Sequence, residues 1–261
     1  MAAHAMAEQR LFVANDLDAA REVTLSHAQT HYLLHVLRLT EGACLLVFDG
    51  SNGEWRAQIT HAKKSGCAIR LIEKVREQTA AQDIHYAFAP LKQGRLDYMV
   101  QKAVEMGASR LQPVLTRFTQ VARVNVERMR ANVTEAAEQC GILSLAEVAE
   151  PMPLQRFLGE RDPQRLLIFC DETAAVADPL QALRKAPSGS QGVDVLIGPE
   201  GGFAGEEHAI LGRQPQILTL SLGPRILRAD TAGVAALALV QAALGDWSGS
   251  QTASKGPKGE R

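Results

Sequence analysis

The chain has 261 residues, of which 46% are hydrophobic, a formal net charge of −1 and four cysteines. This length suffices for one large domain or two modest ones, and the charge excludes an overall field that would attract a polyanion. The cysteines are scattered without a CxxC pair, which argues against a disulfide frame or a metal cage and favours a reducing cytosol.

Neither end of the sequence resembles a targeting segment. The first residues, MAAHAMAEQ, lack the basic and continuous apolar regions of a signal peptide. The longest apolar stretch is the last predicted helix, which is too short to cross a membrane. We therefore expect a cytoplasmic protein.

Residues 10–77 predict a small β-rich unit. Ser26 can cap a helix that runs through Leu39, and three alternating strands follow at 43–48, 54–60 and 67–75. The run DGSNG at 49–53 predicts a hairpin turn.

His27, His31 and His35 share one face of the predicted helix. That spacing could bind a metal, but no HExxH motif or evident carboxylate ligand accompanies it, so we expect no metal.

From Ile84 onward the sequence alternates between strand and helix patterns, which predicts a mostly parallel sheet covered by helices on both faces. We expect these elements at 84–89, 95–106, 110–115, 126–140, 166–170, 179–185 and 193–197. The polar stretch 76–82 is the predicted linker between domains at 10–77 and 82–247. The tail 248–261 has no apolar residue able to anchor it and is predicted to be disordered.

Charge is distributed unevenly along this second half. Lysine and arginine outnumber acidic residues between 84 and 131, whereas acidic residues dominate from 132 to 247. A basic segment can neutralise nucleic-acid phosphates, but it is equally typical of a solvated helix face.

Two predicted strands run into polar loops and then into helices. The first is followed by the turn GPEGG at 198–202, and the second, 217–221, by GPRILRAD at 223–230. In α/β proteins such loops form ligand sites at the carboxyl ends of the strands, although an ordinary connection is the alternative. The glycine-rich turn matches neither a P-loop nor GxGxxG, which leaves a backbone-lined pocket for an uncharged ring. Asp230 and Thr231 lie where the last helix favours a capping oxygen and an acidic first turn.

The paired motifs VLIGPEGGF and LGPRILRADTA resemble the signature of the RsmE family, the 16S rRNA uridine-N3 methyltransferases of the SPOUT superfamily, and the likeness extends from Arg10 to Trp247. It implies an α/β fold: a SPOUT-type parallel sheet with a C-terminal trefoil knot at about 193–244, plus a small N-terminal β-barrel of the PUA-like, RNA-binding type. It also implies S-adenosylmethionine as cofactor, a homodimer and the 30S ribosomal subunit as substrate.

The resemblance further implies site residues. The cofactor would be held by Glu172, Gly198, Pro199, Glu200, Gly201, Leu220, Leu222, Gly223, Ile226, Leu227 and Thr231. RNA would be contacted by Arg10, His31, Arg38, Lys92, Arg95 and Lys102. The sequence departs from the family pattern at Ala204, usually a helix-capping serine, at Asp230, usually glutamate, and at Ile142 and Ser144, where arginines are usual.

Methylation of a uridine nitrogen requires loss of the N3 proton and stabilisation of the charge that spreads over the flanking carbonyl oxygens. Arg228 suits the second task, and Asp230 could accept the proton or orient Arg228.

Two alternative functions stay open: a SPOUT methyltransferase that acts on a ribose 2′-hydroxyl or a tRNA base, and an RNA-binding module without turnover. The last helix, 234–244, is apolar almost all round, which predicts that a second copy covers it, with cover from an earlier helix of the same chain as the alternative.

Overall fold

The computed structural model describes residues 9–18, 22–63, 66–121, 123–175, 177–186 and 190–248. The chain forms two compact units, residues 1–81 with 134–145, and residues 82–133 with 146–261. The expected domain 82–247 therefore differs from the second unit at 134–145. That stretch belongs to the first unit because Ala137 and Leu143 pack on Phe48. The tail expected to be disordered lies, from residue 249, outside the described residues.

The first unit contains five strands, β1 (Arg10–Phe12), β2 (Glu22–Thr24), β3 (Cys44–Phe48), β4 (Glu54–Lys63) and β5 (Gly66–Arg76). They form one sheet in the order β1-β3-β4-β5-β2, with β1 parallel to β3 and the other pairs antiparallel. Leu33, Leu45, Val47 and Ile59 are buried in its core. The predicted hairpin between β3 and β4 is confirmed.

The helix of this unit is shorter than predicted. Ser26 caps α1 (His27–His31), accepting a hydrogen bond from the Gln29 N–H, while the Gln29 side chain accepts one from the Ser26 N–H. The chain continues as a π-helix over Tyr32–Val36. Helix does not reach Leu39 because Arg38 adopts a left-handed conformation, with φ of 57°.

The second unit is built on seven strands, β6 (Ile84–Phe88), β7 (Arg110–Leu115), β8 (Glu147–Val148), β9 (Met152–Pro153), β10 (Leu166–Cys170), β11 (Val193–Ile197) and β12 (Ile217–Leu220). All of their pairings are parallel, in the order β12-β10-β11-β6-β7-β8 with β9 beside β7. The predicted parallel sheet is confirmed. The two-residue strands β8 and β9 were not predicted.

Helices cover both faces of this sheet. The helices of this unit are α2 (Gln93–Glu105), α4 (Leu154–Glu160), α5 (Pro179–Arg184), α6 (Gly205–Leu211) and α7 (Ala229–Ala243), followed by a 3-10 turn at Asp246–Ser248, while α3 (Val126–Cys140) begins in this unit and ends in the first. Phe157 of α4 and Leu211 of α6 share one core cluster with Phe169 and Leu196 of the strands. On the other face α7 packs against α2, α5 and β11. None of the helices in the described ranges is long and apolar enough to cross a membrane.

Two expectations for α7 differ from the structure. Its N-cap is Arg228, which makes no side-chain capping bond, so Asp230 and Thr231 do not supply the expected capping oxygen, whereas the expected acidic first turn is confirmed by Asp230. Cover from earlier helices is also larger than expected: the Gln241 side chain is 1% exposed and donates to the Met106 carbonyl at 2.8 Å. One half-exposed apolar face remains, formed by Val234, Ala235, Ala238, Leu239 and Ala242.

Candidate functional site

A cleft opens where β10 and β11 end and where the loop after β12 returns towards α7. We call it the loop cleft. It is lined by Cys170, Asp171, Glu172, Ile197, Gly198, Pro199, Glu200, Leu222, Gly223, Pro224, Arg225, Ile226, Leu227, Ala229 and Ala232. The cleft therefore joins both loop motifs at the carboxyl edge of the sheet, where α/β proteins bind ligands.

Eight of the eleven residues predicted to hold a cofactor line the loop cleft: Glu172, Gly198, Pro199, Glu200, Leu222, Gly223, Ile226 and Leu227. The other three lie elsewhere. Leu220 is buried at the end of β12, Thr231 is exposed on α7, and a Cβ at Gly201 would lie 3.3 Å from the Cβ of Phe118, outside this cleft. The sequence-based prediction missed the other seven lining residues, although each lies within or directly beside a predicted element or residue: Cys170, Asp171, Ile197, Pro224, Arg225, Ala229 and Ala232.

The glycines of the GPEGG turn are required by their surroundings. Gly202 has a φ of 69°, and a Cβ there would lie 2.7 Å from the Oε1 atom of Glu172. A Cβ at Gly198 would overlap the ring of Phe203. After the turn, Ala204 is the N-cap of α6 and can supply no side-chain oxygen, but its N–H donates to Glu207 at 2.9 Å. Side chains at positions 198 and 202 would overlap their neighbours, so these two positions of the turn present only backbone.

The loop after β12 is the more exposed wall. Ile226 is 90% exposed, an unusual position for a large apolar side chain. Arg225 and Arg228 are also exposed, and neither forms an ion pair within the described part of the chain. On the opposite wall, burial raises the pKa of the Cys170 thiol to about 12. Cys170 therefore stays protonated and is unsuited to nucleophilic chemistry.

Arg95 connects the two loop motifs. Its Nε donates to the Oδ2 atom of Asp230 at 2.8 Å, and its Nη1 contacts Glu200 of the GPEGG turn. The hydrogen bond from Arg95 holds the pKa of Asp230 below its usual range, and the same bond raises the pKa of Arg95. Asp230 is thus hydrogen-bonded to Arg95, while Arg228 acts on Asp230 through its charge and further lowers its pKa.

Comparison with known proteins identifies the family. Residues 78–241 match an RNA methyltransferase domain, and residues 25–72 match an RNA methyltransferase PUA domain. A ribosomal RNA small subunit methyltransferase E from Synechocystis is 36% identical over 242 residues, which cover 90% of this chain and 78% of that protein. The chain belongs to the ribosomal RNA small subunit methyltransferase E family.

Further relatives of this family agree. The methyltransferase E of Rickettsia conorii is 30% identical over 237 residues, covering 90% of this chain and 96% of that protein. A putative methyltransferase from Legionella pneumophila, solved in complex with the cofactor SAM, is 29% identical with a TM-score of 0.81, and the match covers 91% of this chain and 98% of that one. The protein is accordingly an rRNA methyltransferase with a PUA domain, and its methyltransferase domain contains the loop cleft and Arg95.

The residues predicted to contact rRNA differ in how freely their charges are available. Arg10 donates to the buried Glu54 carboxylate at 2.8 Å, and Lys102 contacts Glu105 at 2.7 Å. Arg95 is held by two carboxylates, as described above. The remaining three, His31, Arg38 and Lys92, are exposed and form no ion pair within the described ranges. The prediction therefore missed that three of the six side chains have acidic partners.

The basic segment 84–131 of this methyltransferase is largely neutralised in the same way. Besides Arg95 and Lys102, three of its arginines form ion pairs: Arg110 with Glu147, Arg128 with Asp97, and Arg130 with Glu127. The three cations of the segment that have no ion pair among the described residues are Lys92, Arg117 and Arg123, and all three are exposed. The described residues contain no cluster of three or more side chains suited to hold a metal ion.

Proposed function

We propose that the protein transfers a methyl group from S-adenosylmethionine to N3 of a uridine in the decoding region of 16S rRNA, within the assembled 30S subunit. The observation that carries the proposal is the loop cleft, in which twelve residues of two distant motifs converge at the carboxyl edge of the sheet. The Legionella relative with bound SAM supports the choice of cofactor. The names of the curated relatives support small-subunit rRNA as the substrate.

The loop cleft suits this cofactor. Its lining combines glycines and aliphatic side chains, such as Leu222 and Leu227, which fit a flat uncharged ring, with polar groups that include the Glu172 carboxylate. We assign ring contacts to Gly198, Leu222 and Leu227, and hydrogen bonding of cofactor hydroxyl or amino groups to Glu172. When bound, S-adenosylmethionine supplies an electrophilic methyl group.

We assign different roles to the two residues considered for catalysis. Arg228 is exposed at the start of α7 with no ion pair within the described residues, so its guanidinium can face the carbonyl oxygens that flank N3. A cation there favours loss of the N3 proton because it stabilises the resulting anion. Asp230 is a weak base because Arg95 lowers its pKa. We therefore assign Asp230 to positioning Arg95 and not to accepting the proton. The N3 proton passes to solvent water, which reaches the exposed Arg228, as the methyl group moves from the sulfonium to N3 and S-adenosylhomocysteine leaves.

We also propose the trefoil knot and the closed barrel that the family resemblance implies. The chain path supports the knot: β11 and β12 pair on opposite sides of β10, and the loop after β12 returns the chain to α7 against β11. The barrel is supported by the five-stranded sheet of the first unit, in which β4 and β5 are long and irregularly paired.

A homodimer is the third structural part of the proposal. The half-exposed face of α7 contains Val234, Ala238 and Leu239, and alanines on it allow a second helix to approach closely. Twofold pairing of identical faces is the commonest arrangement in oligomers. Because the proposed substrate is a ribosomal subunit, we place the protein in the cytoplasm.

The decisive experiment is a methylation assay on 30S subunits from a strain that lacks the gene, with mass-spectrometric mapping of the product nucleoside. We expect 3-methyluridine at one position of 16S rRNA. A ribose 2′-O-methyl product, or activity on tRNA instead, would assign the protein to another methylation reaction. Cofactor binding without any methyl transfer would indicate an RNA-binding module.

A further inference from the structure

A second cleft adjoins the loop cleft and shares Pro199 and Glu200 with it. Its lining is completed by Pro90, Leu91, Lys92, Arg95, Phe118, Gln120 and Val121. We call it the Phe118 cleft. Because the two clefts share a wall, a group bound in the Phe118 cleft lies directly beside a cofactor bound in the other. Apart from Pro199 and Glu200, none of its lining residues is among those expected to hold the cofactor.

We propose that the Phe118 cleft binds the target pyrimidine, turned out of the RNA, with its ring stacked on Phe118 and a carbonyl oxygen facing the Nη2 atom of Arg95. The inference rests on the proposed function and names the substrate subsite for it. Three independent features of the cleft carry it: an exposed aromatic ring, an unpartnered donor and a concentration of unpaired cations.

The first feature is Phe118 itself. Its side chain is 46% exposed although it is a large aromatic group, and it lies against the GPEGG turn at Gly201. Single-stranded and flipped nucleotides are commonly bound by stacking on such rings, because every base has a π-face. Because the ring of Phe118 is exposed, a base can stack on it without displacing other side chains that already pack there.

The second feature is the guanidinium of Arg95. Asp230 takes its Nε and Glu200 its Nη1, whereas Nη2 is buried and has no hydrogen-bond partner among the described residues. A buried donor without a partner is unfavourable, so a ligand acceptor at this point would be bound well. Uracil presents a carbonyl oxygen on each side of N3. The carboxylates thus fix Arg95 so that its remaining donor is left for the base.

The third feature is charge. Lys92 lines the cleft, and Arg117 and Arg123 flank the lining residues Phe118, Gln120 and Val121 along the chain. These are the three cations of the basic segment that have no ion pair in the described residues, whereas its other cations are neutralised. A cation that no carboxylate already neutralises contributes more binding energy when it contacts a nucleic-acid phosphate. Their location favours a nucleotide over an uncharged ligand.

The test compares Phe118→Ala and Phe118→Tyr with the wild-type protein on 30S subunits that lack the modification. We expect Phe118→Ala to lower kcat/KM for methylation by roughly five- to a hundredfold, the effect of losing one base–aromatic stack, while S-adenosylmethionine binds with unchanged affinity. Phe118→Tyr keeps a ring and should retain activity. Trp247→Ala removes an aromatic side chain that is 55% exposed outside both clefts, and should behave as wild type.

A second readout does not depend on turnover. Subunits reconstituted with 4-thiouridine in the 16S rRNA should form a photo-crosslink from the target position to the segment that contains Phe118. If the wild type produces 3-methyluridine but Phe118→Ala keeps its full kcat/KM, or if the crosslink maps to other segments only, this inference is overturned and the proposed function stands. If the wild type produces no 3-methyluridine, the proposed function fails, and the inference with it.

Discussion

The Nε atom of Arg95 donates a 2.8 Å hydrogen bond to the Oδ2 atom of Asp230 and so joins α2 to the first turn of α7. Through Nη1 the same guanidinium also contacts Glu200 of the GPEGG turn. One side chain therefore connects the two loop motifs with the helix that precedes them. Because Lys92 and Arg95 line the Phe118 cleft and Glu200 lines both clefts, this connection lies where cofactor and substrate would meet.

We expect Asp230→Asn to lower kcat/KM roughly tenfold or more, since it removes a charge-assisted hydrogen bond that fixes Arg95.

The difference in free energy of unfolding between the wild type and Asp230→Asn should depend on pH. The pKa of Asp230 in the folded protein lies below its ordinary value of 3.8. Ionised Asp230 therefore contributes to the free energy of unfolding above pH 3.8, and this contribution is lost as the pH falls through the lowered pKa. Urea unfolding of both proteins between pH 7 and pH 3 checks this.

The matched control is Glu41→Gln, which neutralises an exposed carboxylate that lies outside the helices and forms no ion pair within the described residues. It should unfold like the wild type throughout that pH range. A difference between wild type and Asp230→Asn that stays constant down to pH 3 would contradict the assignment of the Arg95–Asp230 pair.

Gly202→Ala should weaken binding of S-adenosylmethionine by roughly tenfold. The new Cβ would be strained at a φ of 69° and would lie 2.7 Å from Glu172 Oε1, so it would displace a side chain on the wall of the loop cleft. Gly205→Ala is the control, because a Cβ there has no neighbour within 4 Å. Isothermal titration calorimetry measures both affinities. Equal affinity in the two variants would show that Glu172 and the turn do not contribute to cofactor binding.

The strands of the second unit could be predicted closely because each is a short apolar run between turn residues. Val193–Ile197 and Leu166–Cys170 were both predicted with the bounds that the structure has. The strands β8 and β9 have only two residues each, too few for a periodic pattern. The π-helix after His31 was missed because its sequence, YLLHV, is equally compatible with an α-helix.

The residues that line the candidate site could be predicted better than the side-chain pairs that form within it. Short motifs identified most residues of the loop cleft because those residues adjoin one another in sequence. The partner of Arg95 could not be found in this way, since Asp230 is 135 positions further along the chain. The same limit applies to Arg10, whose partner Glu54 is 44 positions away. Sequence charge alone therefore overestimated the number of cations available to RNA.

Asp194→Asn should destabilise the second unit by about 3–5 kcal/mol, the usual cost of breaking a buried ion pair from one side. Asp194 is 2% exposed and accepts from Arg165 at 2.7 Å and from Arg161 at 3.2 Å. Removing its charge leaves two guanidinium groups without their main partner. The comparison variant is Asp83→Asn, whose carboxylate also contacts Arg165 but is 60% exposed, so a loss of about 0–1 kcal/mol is expected.

Chemical unfolding in urea measures both changes. Similar losses in the two variants would mean that burial does not set the strength of this cluster. Because Asp194 lies on β11 before the loops, the affinity for S-adenosylmethionine of the folded fraction of Asp194→Asn should equal that of the wild type.

The last prediction concerns the half-exposed face of α7. Residues 234, 238 and 242 are four apart and so lie on one side of the helix, where they are half-buried without complete cover from the chain itself. If a second copy covers this face, Ala238→Glu places a charge in an apolar interface, which is strongly unfavourable. We expect the variant to sediment as a monomer or to aggregate, and to lose methylation.

The control variant Gln155→Glu adds the same charge at an exposed position of α4 and should remain a dimer. Analytical ultracentrifugation at micromolar concentration distinguishes these states, and a monomeric wild-type protein would show that α7 is not a dimer interface.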